Sequence, residues 1–128
     1  MKLLLDTHTF IWWDSQRARL SSDALILCQN KSNGLFLSMA SIWEMQIKIQ
    51  LGKLKFSLPL EDVIKDQQKA NNIQLLPIEF DHILRLEKLP LHHKDPFDRL
   101  LIAQAQVEDM TVISNDAWFM NYAVKLRW

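Results

Sequence analysis

Apolar residues follow two rhythms along the chain. Short unbroken runs, bounded by polar or turn residues, alternate with longer stretches in which apolar positions recur every third or fourth residue. The runs at 2–5 ("KLLL"), 35–38 ("LFLS"), 73–78 ("IQLLPI"), 110–114 ("MTVIS") and 123–127 ("AVKLR") are predicted strands. Pro77 breaks the third or confines it to a sheet edge. Between the first two, the pattern predicts a short helix or turn over 10–16, then a helix over 23–31 capped by Ser21 or Ser22 and stopped by Asn33-Gly34. Further helices are predicted over 39–53, 60–71 and 79–89, the first ended by Gly52 and the last by Pro90. "DPFDRLLIAQAQVED" at 95–109 has the clearest helical pattern, and 115–122 is a short helix.

Strands that alternate with helices specify an α/β domain. The expected architecture is a mainly parallel central sheet of about five strands with helices on both faces, and residues 1–128 form one domain. In such a sheet, ligands bind beyond the carboxyl ends of the strands. Asp6 directly follows the first strand and Asp116 stands two residues beyond the fourth, so both are expected on that rim.

Composition narrows the function more than the fold. A chain of 128 residues with 48% hydrophobic content and two glycines has enough material for a real core. Fifteen basic and fifteen acidic residues cancel, which removes bulk attraction to nucleic acid but not a local phosphate site that brings its own cation. The lone Cys28 excludes an internal disulfide and, with no secretory leader visible, the expected compartment is the cytoplasm. No stretch approaches the ~20 apolar residues that span a bilayer, so no membrane association is expected. A Gly-rich phosphate loop is missing, which disfavours nucleotide binding of that type.

Four carboxylates stand in awkward places. Asp6 ends an apolar strand. Glu44 lies about 40° from Ala40 on the wheel of a helix with apolar residues on two sides. Asp98 sits beside Leu101, Ile102 and Ala105 on the late helix, and Asp116 follows a strand. Each has a local explanation taken singly. Asp6 and Asp116 can cap turns or helices, Glu44 can pair with Lys48 at i,i+4, and Asp98 can serve in a capping box behind Asp95 as N-cap and Pro96 at N1. Taken together, all four can reach one rim. Two like charges 4 Å apart cost roughly 4 kcal/mol at an effective dielectric of about 20, so such a cluster needs shared protons or a metal. Hard oxygen donors suit Mg²⁺ or Mn²⁺, and a divalent ion there polarises a phosphoryl oxygen and activates water. The chemistry implied is phosphodiester hydrolysis.

The same residues carry a family likeness. "LLLDTHTFIWW", "SMASIWEMQIKIQLGKL", "DPFDRLLIAQA" and "TVISND", in that order and closed by "VKLRW", resemble the PIN domain. More narrowly they resemble the VapC-type ribonuclease toxins of bacterial toxin–antitoxin systems, from residue 2 to the C-terminus. The resemblance implies a three-layer PIN-like fold. It matches Asp6, Glu44, Asp98 and Asp116 to the family's four acids, which hold one or two Mg²⁺ or Mn²⁺ ions, with Asp6 and Asp98 the principal ligands. Thr7, Ser38 and Ser114 fall where the family has small hydroxyl residues near the acids, and Asp95 is secondary. The implied activity is an endoribonuclease that leaves a 5′-phosphate and a 3′-hydroxyl on its RNA. The implied partners are a second copy in a homodimer and a small antitoxin whose tail lies in an apolar groove.

Other signals have blander readings. Lys48, Lys94, Arg99 and Lys125 can hold an RNA backbone or simply be solvated. His92-His93 lacks zinc-ligand spacing. His8 packs or caps, Met39, Met45, Met110 and Met120 fill the core, and most of the five tryptophans are expected inside. Two other functions remain. One is a PIN-fold RNA- or protein-binding module without nuclease activity. The other is an aspartate phosphotransfer protein, opposed by the lack of a second aspartate in "DTHT" and of a lysine after a late strand.

Overall fold

Leu3, Leu4 and Leu5 are all closed to solvent, so the first strand lies in the middle of a sheet covered on both faces. The computed structural model describes residues 1–92 and 95–128. Strand β1 (Lys2–Leu5) pairs with β2 (Gly34–Ser38) on one side and β4 (Thr111–Ile113) on the other. β3 (Gln74–Leu76) and β5 (Lys125–Arg127) form the edges, in the order β3-β2-β1-β4-β5. Every pairing is parallel. β3 ends just before Pro77, as a residue without an N–H requires.

Side chains alternate across β1 and divide the core in two. Leu3 and Leu5 pack with Phe10 and Trp13 of α1 (Thr7–Ser15), Ala24 and Cys28 of α2 (Ser22–Gln29), Met45 of α3 (Met39–Gln50), and Val63 and Ile64 of α4 (Leu60–Asn71). Leu4 packs on the other face with Leu101, Ile102 and Ala105 of α6 (Pro96–Glu108) and with Phe119 and Tyr122. A short α5 (Phe80–Arg85) leans on α6. The result is the expected three-layer α/β arrangement.

Local expectations are corrected or sharpened. α1 starts at Thr7, not near Phe10, because the Asp6 side chain caps it and draws the β-branched "THT" segment into the first turn. The short helix expected over 115–122 is present as a 3-10 helix over Ala117–Asn121. α3 buries Ala40, Ser41, Glu44 and Met45, a stripe that runs between its two apolar sides, and leaves Trp43 61% exposed. Met39 and Met120 are likewise exposed, whereas Met45 and Met110 are buried.

From β1 the chain moves outward to β2 and β3, then returns across the sheet to β4 and β5. The direction of winding therefore reverses between β1 and β4. The carboxyl ends of those two strands frame the crevice in which α/β proteins place ligands.

Candidate active site

Asp6 is delivered to that crevice by two jobs done at once. Its backbone N–H donates to the Ile113 carbonyl at 3.2 Å, ending the β1–β4 pairing, and its Oδ1 accepts from the Thr9 N–H at 2.7 Å, capping α1. Its Oδ2 accepts from the hydroxyl of Ser114, the residue immediately after β4. The Ser114 oxygen in turn accepts the Asp116 N–H at 3.0 Å. One buried hydroxyl thus joins Asp6 to the backbone of Asp116. The Asp116 carboxylate is half-buried and accepts from the Trp118 N–H at 3.0 Å, capping the 3-10 turn. A cavity of about 500 Å³ opens beside Ser114 and Asp116, with Met120, Tyr122, Leu126 and Trp128 on its walls.

Glu44 approaches from α3 and is 8% exposed. The Thr7 hydroxyl lies 2.6 Å from Glu44 Oε1 and 3.0 Å from Ser41 Oγ. Its single proton goes to the carboxylate, the stronger acceptor, so the Ser41 hydroxyl donates to Thr7. Glu44 Oε2 lies 3.2 Å from Lys48 Nζ. The anticipated i,i+4 pair therefore forms, with the carboxylate at the rim nonetheless. Thr7 follows Asp6 in sequence, which places Glu44 next to the β1 end.

Asp98 occupies the first turn of α6 and is half-buried. Asp95 is the N-cap of that helix and accepts from the N–H groups of Phe97 at 2.8 Å and Asp98 at 3.2 Å. Phe97 meets Trp43 edge-on, with ring centroids 5.3 Å apart. This contact pins the turn carrying Asp98 against the turn carrying Glu44. Ser38 caps α3 by accepting the Ala40 N–H at 3.0 Å, and its hydroxyl donates to Gln104 Oε1 at 2.6 Å, not to one of the four acids. Thr9, Ser41 and Gln104 were not singled out from the sequence; their partners lie on other elements.

Burial pushes the Asp6 carboxyl above the usual carboxylate range, against the hydrogen bonds from Ser114 and Thr9 and a weaker pull from His8. Ionised Asp6 is thus supported mainly by neutral donors, and a nearby cation would favour its charge. Among the described residues, no three His, Cys, Asp or Glu side chains are grouped tightly enough to hold an ion as they stand. The donor chemistry still fits Mg²⁺ or Mn²⁺: Asp6 and Asp116 are linked oxygen donors at one rim, and Glu44 and Asp98 sit on helices that border it.

The other candidates take structural roles. Lys125 begins β5 and pairs with Asp109 at 2.7 Å, at the opposite ends of the strands. Arg99 donates to the carbonyl oxygens of Pro90 and Leu86. His93 and Lys94 lie outside the described residues, and the ring of His92 meets Tyr122. Cys28 lines a separate cavity of about 380 Å³ at the far ends of the strands, and burial pushes its thiol up to about 11, so it is no nucleophile. Among the described residues, no helix is long and apolar enough to cross a membrane.

The family model of the PIN domain matches residues 3–125. The fold is similar to that of VapBC2 from Rickettsia felis bound to a promoter DNA fragment, with a TM-score of 0.74 at 15% identity over 99% of this chain and 98% of that one. It is also similar to DNA-bound VapBC from Salmonella typhimurium (TM-score 0.67, 14% identity, 99% and 97% covered) and to FitAcB from Neisseria gonorrhoeae (0.60, 14%, 97% and 95%). No curated protein sequence matches the chain significantly. A family match spanning nearly every element, with acids at the strand-end rim where the winding reverses, makes this chain a member of the PIN domain family.

Proposed function

We propose that the protein is a Mg²⁺- or Mn²⁺-dependent endoribonuclease acting in the cytoplasm as the toxin of a toxin–antitoxin pair. The observation that carries this reading is the Asp6–Ser114–Asp116 link at the strand-end crevice of a PIN domain. The catalytic and metal-binding set is Asp6, Glu44, Asp98 and Asp116. A bound divalent ion supplies charge for the phosphoryl oxygens and lowers the pKa of water. Thr9 and Ser114 fix the orientation of the Asp6 carboxylate, and Thr7 does the same for Glu44. Trp43 and Trp118, 61% and 49% exposed beside Glu44 and Asp116, offer faces on which unpaired bases stack. The products are a 5′-phosphate and a 3′-hydroxyl.

The solved proteins of the same fold include a toxin–antitoxin complex from Klebsiella pneumoniae, which supports a small antitoxin as partner here. Phe80, Ile83 and Leu84 of α5 are 73%, 52% and 49% exposed, an apolar face of the kind a homodimer covers. One observation favours a binding module without nuclease activity instead: Glu44 is already engaged by Thr7 and Lys48.

The two readings separate in one assay. Purified protein incubated with Mn²⁺ and a single-stranded RNA should give fragments whose 5′ ends are ligatable without prior phosphorylation. Tight RNA binding with no cleavage across Mg²⁺, Mn²⁺ and several RNAs would select the binding module. Ser114→Ala is expected to lower cleavage by about 10- to 100-fold, the usual effect of removing a hydrogen bond that orients a metal ligand. It should cost on the order of 1–2 kcal/mol of stability in urea denaturation, because the Asp116 N–H loses its acceptor.

A further inference from the structure

α3 and α6 run past each other in opposite directions, and two contacts fix their register. At one end Ser38 meets Gln104, and at the other Trp43 meets Phe97. Glu44 and Asp98 each follow a residue of the second contact by one position in sequence. Only the first contact is polar, and it is fully enclosed: Ser38 and Gln104 are both 0% exposed.

Gln104 does more than meet Ser38. Its Oε1 accepts the Ser38 hydroxyl at 2.6 Å, and its Nε2 donates to the Pro77 carbonyl at 3.2 Å. Nε2 also lies 3.4 Å from His82 Nδ1. That nitrogen already accepts the Glu79 N–H at 2.9 Å, and His82 Nε2 faces Glu108 at 3.3 Å. One side-chain amide therefore joins the end of β2, the residue after β3, the start of α5 and the middle of α6. A polar group buried this deeply is unfavourable unless both its acceptor and its donor are used, so the amide holds these elements at one spacing.

We infer that Gln104 is a positioning residue for the acid site: by bonding Ser38 and Pro77 it sets the separation of Glu44 on α3 from Asp98 on α6. The inference rests on the proposed metal-dependent reading of those acids. It differs from ordinary core packing in requiring both hydrogen-bonding functions of the amide.

Two variants test it. Gln104→Met keeps the volume and removes both functions. In Gln104→Glu, a protonated carboxyl accepts from Ser38 and donates to Pro77, whereas the ionised form can only accept. Gln104→Met should lower kcat about 10-fold or more and weaken Mn²⁺ binding in titration calorimetry by a similar factor, with KM for RNA nearly unchanged. Gln104→Glu should recover Mn²⁺ affinity relative to wild type as the pH is lowered, a profile that Gln104→Met does not share. Gln104→Met that is folded by circular dichroism and has wild-type kcat and Mn²⁺ affinity overturns the inference. So does a Gln104→Glu protein that shows no recovery. If Gln104→Met fails to fold, Gln104→Glu decides alone. Wild type that binds Mn²⁺ but cleaves no RNA overturns only the nuclease reading, since affinity still reports on positioning. Wild type that does neither overturns both.

Discussion

Asp6→Asn is expected to lower RNA cleavage by orders of magnitude and, in the same protein, to raise the melting temperature on the alkaline side of the Asp6 titration. The two effects have one origin. Asp6 is 5% exposed, and its carboxyl is held above the usual range by burial. The folded protein therefore keeps that proton to a higher pH than the unfolded chain does. The associated stability is fully present below the unfolded carboxyl pKa and is lost as the pH rises through the folded one. Above its raised folded pKa, the wild type carries the ionised, desolvated form. Asparagine keeps the cap on α1, since its side-chain oxygen accepts from the Thr9 N–H as Asp6 does, and it carries no charge. Scanning calorimetry in chelator should show the variant melting higher than wild type, on the order of a few degrees. That difference should shrink toward acid pH. Mn²⁺ should raise the melting temperature of wild type and leave the variant unmoved. Cleavage should fall on the order of 10³-fold, equivalent to about 4 kcal/mol of transition-state stabilisation. Equal cleavage by the variant would remove Asp6 from the site. Equal melting temperatures at every pH would mean that burial of the charge is already compensated.

The features visible in the sequence are those set by neighbours in the chain. β1 is an uninterrupted apolar run because both its faces are covered, and the aspartate that ends it is the cap of the next helix. "DPFD" shows its helix start through Pro96 and Asp95. Asp6, Asp98 and Asp116 lie on or beside such punctuation and Glu44 stood out on the wheel of an apolar helix, which is why all four could be proposed before any fold was known. What pattern could not show is the set of partners that orient them. Ser38 and Gln104 are 66 residues apart, Thr7 and Ser41 are 34, and Thr9 reaches the Ile113 carbonyl across 104. A glutamine between two alanines on an apolar helix face gives no local sign that it closes a four-element junction.

The wheel of α3 misled for a related reason. Apolar residues on both its sides implied burial on both, yet Trp43 packs edge-on against one half-buried ring and leaves most of its surface open. Periodicity reports the chemistry of a face, and only the fold decides what covers it. Ser38 was expected near the acids as a hydroxyl donor. It does donate, but to Gln104, so any effect on Glu44 passes through the start of α3.

Trp13→Ala is expected to give the largest loss of stability. Trp13 is 1% exposed, and its indole N–H donates to Gln67 Oε1 at 3.0 Å, tying α1 to α4. Gln67 passes this link to Asp14 at 2.9 Å, and Asn71 donates to the same Gln67 oxygen at 2.8 Å. The Arg17 guanidinium lies over the indole at 3.8 Å, with its Nε–H donating to the Trp13 carbonyl. Truncation to alanine removes the largest buried side chain of the core under Leu3 and Leu5 and leaves a cavity between two helices and the sheet. It should destabilise the protein by about 3–5 kcal/mol and lower the melting temperature by roughly 10–20 °C. Trp13→Phe separates the contributions. It keeps most of the ring, and Gln67 Oε1 still receives the Asn71 amide, so the loss should be about 1 kcal/mol. Urea denaturation of the two variants checks the order. Equal losses would mean that the hydrogen bond, not the buried volume, holds α1 in place. Far below its melting temperature, Trp13→Ala should still cleave RNA, because Asp6 is anchored by Ile113, Thr9 and Ser114 and not by the far end of α1. Loss of cleavage in the folded variant would show that the cap geometry at Asp6 depends on how the whole helix is seated.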